Sequence, residues 1–335
     1  MTLDLPLVWA GLIAFAVLAY VILDGFDLGV GILFPFVPGE SHRDEMMNSV
    51  APVWDGNETW LVLGGGGLFA VFPLAYAVIM PALYAPVVAM LLGLVLRGVA
   101  FEFRWKTRRG KFLWDWGFAA GSTVAAFAQG LALGALVQGI PVEGRAYAGG
   151  WWDWLTPFSV LTGVALVVGY ALLGATWLIL KTEGHVRDRA YRYAHITALG
   201  TLVLIFVVSL WTPFLSDAFM QRWFAWPQVA FVAPVPLLVA VAAYALVRGL
   251  RERRELRPFL AALALFVLCF FGLLISFYPY LVPTSVTIWA AAAPDVSLRF
   301  LLTGAVVLIP LILLYTGYSY WVFRGKVGGA GGYHG

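Results

Sequence analysis

The chain has 335 residues, 62% of them hydrophobic and 12% charged, with a mean hydropathy of +0.88. Soluble domains carry about 45–50% apolar and about 25% charged residues, so the composition excludes a water-soluble globule and fits an all-α polytopic membrane protein. The net charge of +3 does not point to nucleic acid, since membrane proteins place their basic excess in loops, and the lone Cys269 excludes an internal disulfide, a Cys-ligated iron–sulfur cluster and a thiolate zinc site.

Runs of about 20 apolar residues mark nine spans. They lie near Leu5–Leu33, Val53–Phe72, Tyr76–Phe101, Trp114–Gln138, Leu155–Leu180, Ala194–Trp211, Gln228–Leu250, Phe259–Tyr278 and Phe300–Phe323. The first run, with Asp4 in place of a basic segment and too long for a signal core, is expected to stay as a span. The second and third are divided by Phe72-Pro73-Leu74; merged, they would be too long for one bilayer. Residues 1–327 read as one transmembrane domain. It could divide into two four-helix bundles near 1–140 and 150–285 with the ninth span, 300–323, peripheral, although no internal repeat is evident. Residues 328–335 form a Gly-rich tail expected to be disordered.

The loops orient the chain. Arg43 follows span one; Arg104, Lys106, Arg108, Arg109 and Lys111 follow span three. Lys181, Arg187, Arg189 and Arg192 follow span five, Arg248, Arg251, Arg253, Arg254 and Arg257 follow span seven, and Arg324 and Lys326 follow span nine. Only Arg145, Arg222 and Arg299 fall on the other side, and Arg97 lies inside span three. This asymmetry predicts a cytoplasmic C-terminus and an outside N-terminus. Trp151, Trp152, Trp154, Trp211, Trp223 and Trp226 are expected as anchors at the outer interface, and Ser41-His42-Arg43-Asp44-Glu45 is expected along the inner one.

Acidic residues inside spans need a reason, because a charge at the membrane centre costs roughly 2.5–3.5 kcal/mol on insertion scales. Asp24 and Asp27 share a face of span one in Asp24-Gly25-Phe26-Asp27-Leu28-Gly29-Val30-Gly31. Asp55 and Glu58 are spaced the same way in Trp54-Asp55-Gly56-Asn57-Glu58-Thr59-Trp60 at the head of span two. The topology puts all four acids in the cytoplasmic half, where Arg97 is the basic residue deep enough to join them. Intramembrane carboxyls are material for proton relays. A structural ion-pair cluster is the plain alternative, and it weighs most for Asp27 and Glu58.

Other motifs carry less. Gly64-Gly65-Gly66-Gly67 lacks the Lys and Ser/Thr of a phosphate loop and suits close helix or cofactor approach. Haem needs axial ligands, but His42, His185 and His334 fall in loops or tail, and His195 stands alone at the inner end of span six. The chain is therefore expected to hold no haem by itself. The aromatic segments around Tyr278-Pro279 and Tyr318-Ser319-Tyr320 suit interface anchoring, with contact to a lipid or quinone as the alternative.

The combination Asp24-Gly25-Phe26-Asp27, Trp54-Asp55-Gly56-Asn57 and Arg97-Gly98-Val99-Ala100-Phe101-Glu102 resembles subunit II of the cytochrome bd-type quinol oxidases, including the cyanide-insensitive branch. Trp114-Asp115-Trp116-Gly117, Tyr278-Pro279 with Pro283, and Leu314-Tyr315-Thr316 extend the likeness in order along nearly the whole chain. The resemblance implies a heterodimer in a bacterial inner membrane. The partner, subunit I, would carry two b-type haems, one d-type haem and the quinol-oxidising loop, with a small accessory subunit and a structural quinone or lipid as further candidates. It implies that Asp24 and Asp55 belong to a proton path at the subunit interface, and that Trp54 and Arg97 lie near the haem end, where Arg97 could meet a propionate. Glu58, often Gln in the family, is a less secure member of that path; Asp27 and Asn57 are supporting residues. The acid that many members carry after the tryptophan before span nine is absent, since Trp289 precedes Ala290. From the residues alone two other readings stay open: a proton-coupled secondary transporter, and a purely structural anchor for a redox partner.

Overall fold

The computed structural model describes residues 3–327; the Gly-rich tail lies outside the described residues. Helix α1 (Leu5–Leu33) starts at Asp4, whose carboxylate accepts the Leu7 N–H at 3.1 Å, and a 3-10 turn leads to α2 (Glu40–Val50). Then follow α3 (Trp54–Val71), α4 (Pro73–Ala82), α5 (Tyr84–Lys106) and α6 (Lys111–Gln138). A two-stranded hairpin, β1 (Val142–Glu143) with β2 (Ala146–Tyr147), precedes α7 (Pro157–Lys181), which opens on a Thr156/Ser159 capping box. The second half holds α8 (Gly184–Trp211), the short α9 (Asp217–Phe224) and α10 (Gln228–Val232), α11 (Pro234–Arg251) and α12 (Leu256–Phe277). A second hairpin, β3 (Tyr280–Val282) with β4 (Val286–Thr287), and the single turn α13 (Ile288–Ala291) lead into α14 (Asp295–Val322).

Eight helical stretches among the described residues are long and apolar enough to cross a membrane. The α3–α4 pair, bent by 120°, makes a ninth candidate. The all-α membrane architecture is as the sequence predicts, with two corrections. The third span starts at Tyr84 rather than Tyr76, because residues 76–82 belong to the bent arm α4. Phe72 leaves the helix before Pro73, as a residue before proline favours, and Leu83 breaks it again beyond Pro81. The sixth span begins ten residues earlier than hydropathy places it, since the polar turns from Gly184 continue α8. Arg187 pairs with Glu255 at 2.8 Å and Arg253 with Asp188, which holds those turns in place.

Lipid is as apolar as the helix faces, so close packing rather than burial from water draws these helices together. The sequence provides glycines at the crossings. A Cβ on Gly29 would overlap the Tyr170 carbonyl, and one on Gly174 would overlap the Gly29 backbone, so α1 and α7 meet main chain to main chain. Gly93 and Gly121 do the same for α5 and α6, where an added Cβ would sit 2.8 or 2.6 Å from the opposite carbonyl oxygen. As a result α7 is central: 67% of its apolar window is buried, against 6% for α14. Helix α14 lays one face on the fold through Leu302, Ala305 and Ile312, and its polar anchors lie near its ends. Near its start, Leu298 is fully buried and its carbonyl accepts the Trp9 indole N–H at 3.1 Å. At its finish, Lys181 Nζ donates to the Phe323 and Gly325 carbonyls, closing a helix end that has lost its own partners.

Candidate functional site

The final third of α1, the first two turns of α3 and the second half of α5 converge on Arg97. Its guanidinium is 1% exposed, and Nη1 lies 2.8 Å from Asp24 Oδ1 and 2.9 Å from Glu58 Oε1. Nη2 lies 4.0 Å from Asp27 Oδ2. Asp24 and Asp27 are fully buried, whereas the Glu58 side chain keeps 26% of its exposure. Arg97 stands nine residues before the end of α5, so the cluster is about 13 Å inside the basic-rich end of the helices.

Asn57 organises the other side. Its amide donates to Asp27 Oδ2 at 2.6 Å and to the Leu23 carbonyl at 3.2 Å, while its oxygen accepts the Tyr320 hydroxyl at 3.0 Å. One side chain thereby ties α3 to α1 and α14. Trp54 places its ring 5.8 Å from the Arg97 guanidinium carbon and 5.2 Å from the Phe101 ring. The floor of the site is a second polar chain, in which Gln129 donates to the Tyr20 oxygen at 2.8 Å and accepts from the Tyr170 hydroxyl at 2.9 Å.

The structure thus brings together Asp24, Asp27, Asn57, Glu58, Arg97 and Trp54. Asp55 is elsewhere: it lies on the exposed face of α3 with Thr59, Val62, Gly65 and Phe69, pointing away from Arg97. Asp24 and Glu58 both take Nη1 of Arg97, while its buried Nε makes no hydrogen bond. Sequence reasoning missed Tyr320, 263 residues from Asn57, and the Tyr20–Gln129–Tyr170 chain; no local spacing signals either.

It also missed a surface network. Arg104, fully buried, binds Asp44 Oδ1 at 2.6 Å and Asp115 Oδ1 at 2.5 Å, and Arg43 takes Asp115 Oδ2 at 2.7 Å, pinning α2 over the α5–α6 corner. Beside it the Lys111 ammonium bonds Glu40 and holds that carboxyl below the ordinary range. Burial pushes the Glu45 carboxyl up. His42 and His185, read as loop histidines, stack at 5.4 Å in this region, and His195 Nδ1 lies 2.7 Å from the Tyr191 carbonyl of its own helix.

Comparison with known proteins identifies the family. The family model described as cytochrome bd terminal oxidase subunit II matches residues 5–323. The chain is 32% identical to the cytochrome bd-I ubiquinol oxidase subunit 2 of Escherichia coli strain K12, over 96% of this chain and 95% of that one. It is 29% identical to the cytochrome bd ubiquinol oxidase subunit 2 of Bacillus subtilis strain 168, over 95% and 96%. A chain of the bd oxidase structure from Geobacillus thermodenitrificans shares the fold with a TM-score of 0.74 at 17% identity, covering 96% of this chain and 99% of that one. With the motifs of spans one, two and three meeting at a single buried arginine and the match running almost from end to end, the chain belongs to the cytochrome bd terminal oxidase subunit II family.

Proposed function

We propose that this chain is the haem-free subunit II of a quinol:oxygen oxidoreductase, docked on a haem-bearing subunit I and carrying part of its proton-uptake path. The observation that supports it most is the sharing of one buried guanidinium by Asp24 and Glu58, with Asp27 beyond. Three carboxyls face one cation in a medium where an uncompensated charge is expensive. The cheapest occupancy leaves at least one carboxyl protonated, so the cluster is a place where a proton can rest. Glu58, the partly exposed member, is the port; Arg97 passes the charge change to Asp24; Asp27 communicates through Asn57 with Tyr320.

Asp55 acts before Glu58 in this reading. Its face of α3 is unpartnered among the described residues, and a Cβ on Gly65 or Gly66 would meet nothing within 4 Å, which suits close approach by a helix of subunit I. Trp54 would border that contact. The two b-type haems and the d-type haem, together with the quinol, would belong to subunit I. The basic-rich end, holding the port, would face the cytoplasm of a bacterial inner membrane, with the N-terminus outside.

The test is Asp55→Asn in the assembled complex, with haem content read from the visible spectrum and turnover from quinol-driven oxygen consumption. Loss of a proton-transfer group is expected to slow turnover by on the order of a hundredfold with haem intact. Normal turnover with normal haem would remove Asp55 from the path.

A further inference from the structure

A groove of about 970 Å³ runs between α11 and α12, and none of the acid-cluster residues lines it. Sites of roughly 300–1,000 Å³ hold ligands of drug size, so this space suits one long chain rather than a solvent molecule. Its floor is small: Ala242 and Ala245 from α11 face Ala261 and Ala264 from α12. Leu238, Val241 and Leu260, each at least half exposed, form its walls. The groove is therefore apolar along its length and open toward the bilayer.

Its mouth is different. The α11–α12 connection turns in four residues, with the Arg253 N–H on the Leu250 carbonyl at 3.1 Å and the Arg254 N–H on the Gly249 carbonyl at 2.9 Å. That turn requires a positive φ at Arg253, 51°, where glycine would be the easy choice. The same turn gathers three guanidiniums around one carboxylate. Arg248 Nε holds Glu252 Oε1 at 2.6 Å, while Arg257 Nη1 and Arg254 Nε share Oε2 at 3.1 and 3.5 Å. Glu255, the other acid here, is occupied by Arg187 and Lys326, both at 2.8 Å. The mouth thus carries two positive charges beyond its own compensation, and Arg254 and Arg257 line the groove itself. Like charges at this spacing repel, so the arrangement invites an anion with several acceptor oxygens.

We propose that this groove is a binding site for an anionic glycerophospholipid of the basic-side leaflet. Arg254 and Arg257 take the phosphate, and one acyl chain lies along the alanine floor. The charge surplus favours an anionic headgroup over a zwitterionic one, whose own ammonium would meet the same guanidiniums. The site is separate from the acid cluster and does not depend on the proton-path reading.

The test uses the assembled complex, delipidated in mild detergent and titrated with phosphatidylglycerol or with phosphatidylcholine of the same chains, bound lipid being counted by native mass spectrometry. Phosphatidylglycerol is expected to bind the wild type on the order of tenfold more tightly than phosphatidylcholine, and the Arg254→Gln/Arg257→Gln variant is expected to lose that preference. Arg108→Gln/Arg109→Gln, which removes equal charge from another loop, is expected to keep it. A second variant, Ala264→Phe, fills the groove without touching the arginines and is expected to displace the lipid. Equal loss in the two arginine pairs would overturn the site in favour of diffuse surface charge. Unchanged binding in Arg254→Gln/Arg257→Gln, or a polypeptide instead of a lipid crosslinked to a cysteine placed at Val241, would overturn it outright.

Discussion

Replacing Arg97 by Gln tests whether the acid cluster is held by one shared cation. With an effective dielectric of about 20, opposite charges 2.8 Å apart attract by about 6 kcal/mol. Desolvation offsets much of this, and removing one member of a buried pair costs about 3–5 kcal/mol, because its partner is left charged and unpaired. At about 2 °C per kcal/mol for a chain of this size, the melting point of the complex should fall by roughly 6–10 °C. Asp24→Asn should cost nearly as much. Glu58→Gln should cost about 1 kcal/mol, since its side chain is 26% exposed and solvent screens the pair. The double variant Asp24→Asn/Arg97→Gln should destabilise less than the sum of its parts, by about 2–3 kcal/mol, because the second change removes a charge already orphaned by the first. The assay is a thermal melt of the purified complex followed by tryptophan fluorescence, with haem content as the assembly check. Additive effects, or a Glu58→Gln cost equal to that of Asp24→Asn, would show that the guanidinium is not shared in this way.

Three further outcomes follow from other contacts. Gly29→Ala should block docking of α1 on α7 and abolish recovery of the assembled complex, whereas Gly304→Ala, where an added Cβ meets nothing within 4 Å, should leave that recovery unchanged. Tyr320→Phe should cost about 1 kcal/mol, about 2 °C, by leaving the Asn57 oxygen without its donor, and it should slow oxygen consumption if Asp27 exchanges protons through Asn57. Lys326 and Arg187 hold the Glu255 carboxyl below its ordinary range, so the stability they share is present above a pH of about 4.3 and is lost as pH falls through the lowered value. Amide protection at Val327, whose N–H is on the Lys181 carbonyl at 2.8 Å, should then drop about two- to fivefold after correction for intrinsic exchange.

The spans were legible because a membrane helix must be long and apolar, which leaves its mark on every residue of the run. The turns between them were less so. Phe72-Pro73 signals one break and Pro81 and Pro86 flank the other at Leu83, but hydropathy reports the solvent a segment prefers rather than the direction it takes. At the site, grouping Asp24 with Arg97 followed from topology alone, since both lie at the same depth. Ranking Asp55 against Glu58 did not. Three residues at 100° each leave two side chains about 60° apart, close enough to share a face and far enough for one to turn inward and the other outward. Tyr320 and Asp115 reach their partners through tertiary packing, for which a single sequence carries no local mark.

Helix α14 is the least buried span, with Leu298 near its start its one fully buried residue among those described, and this lets it work as a lever. From Leu298 to Tyr320 is 22 residues, an arm of about 33 Å at 1.5 Å per residue. A tilt of about 2° pivoting at Leu298 would sweep the Tyr320 end by about 1 Å, enough to stretch its 3.0 Å bond to Asn57 past hydrogen-bonding range. Pro310, inside the arm, lowers the cost of such bending. Lateral pressure on the outermost helix is therefore converted, at the far end of a long arm, into a change of hydrogen bonding one residue away from Asp27.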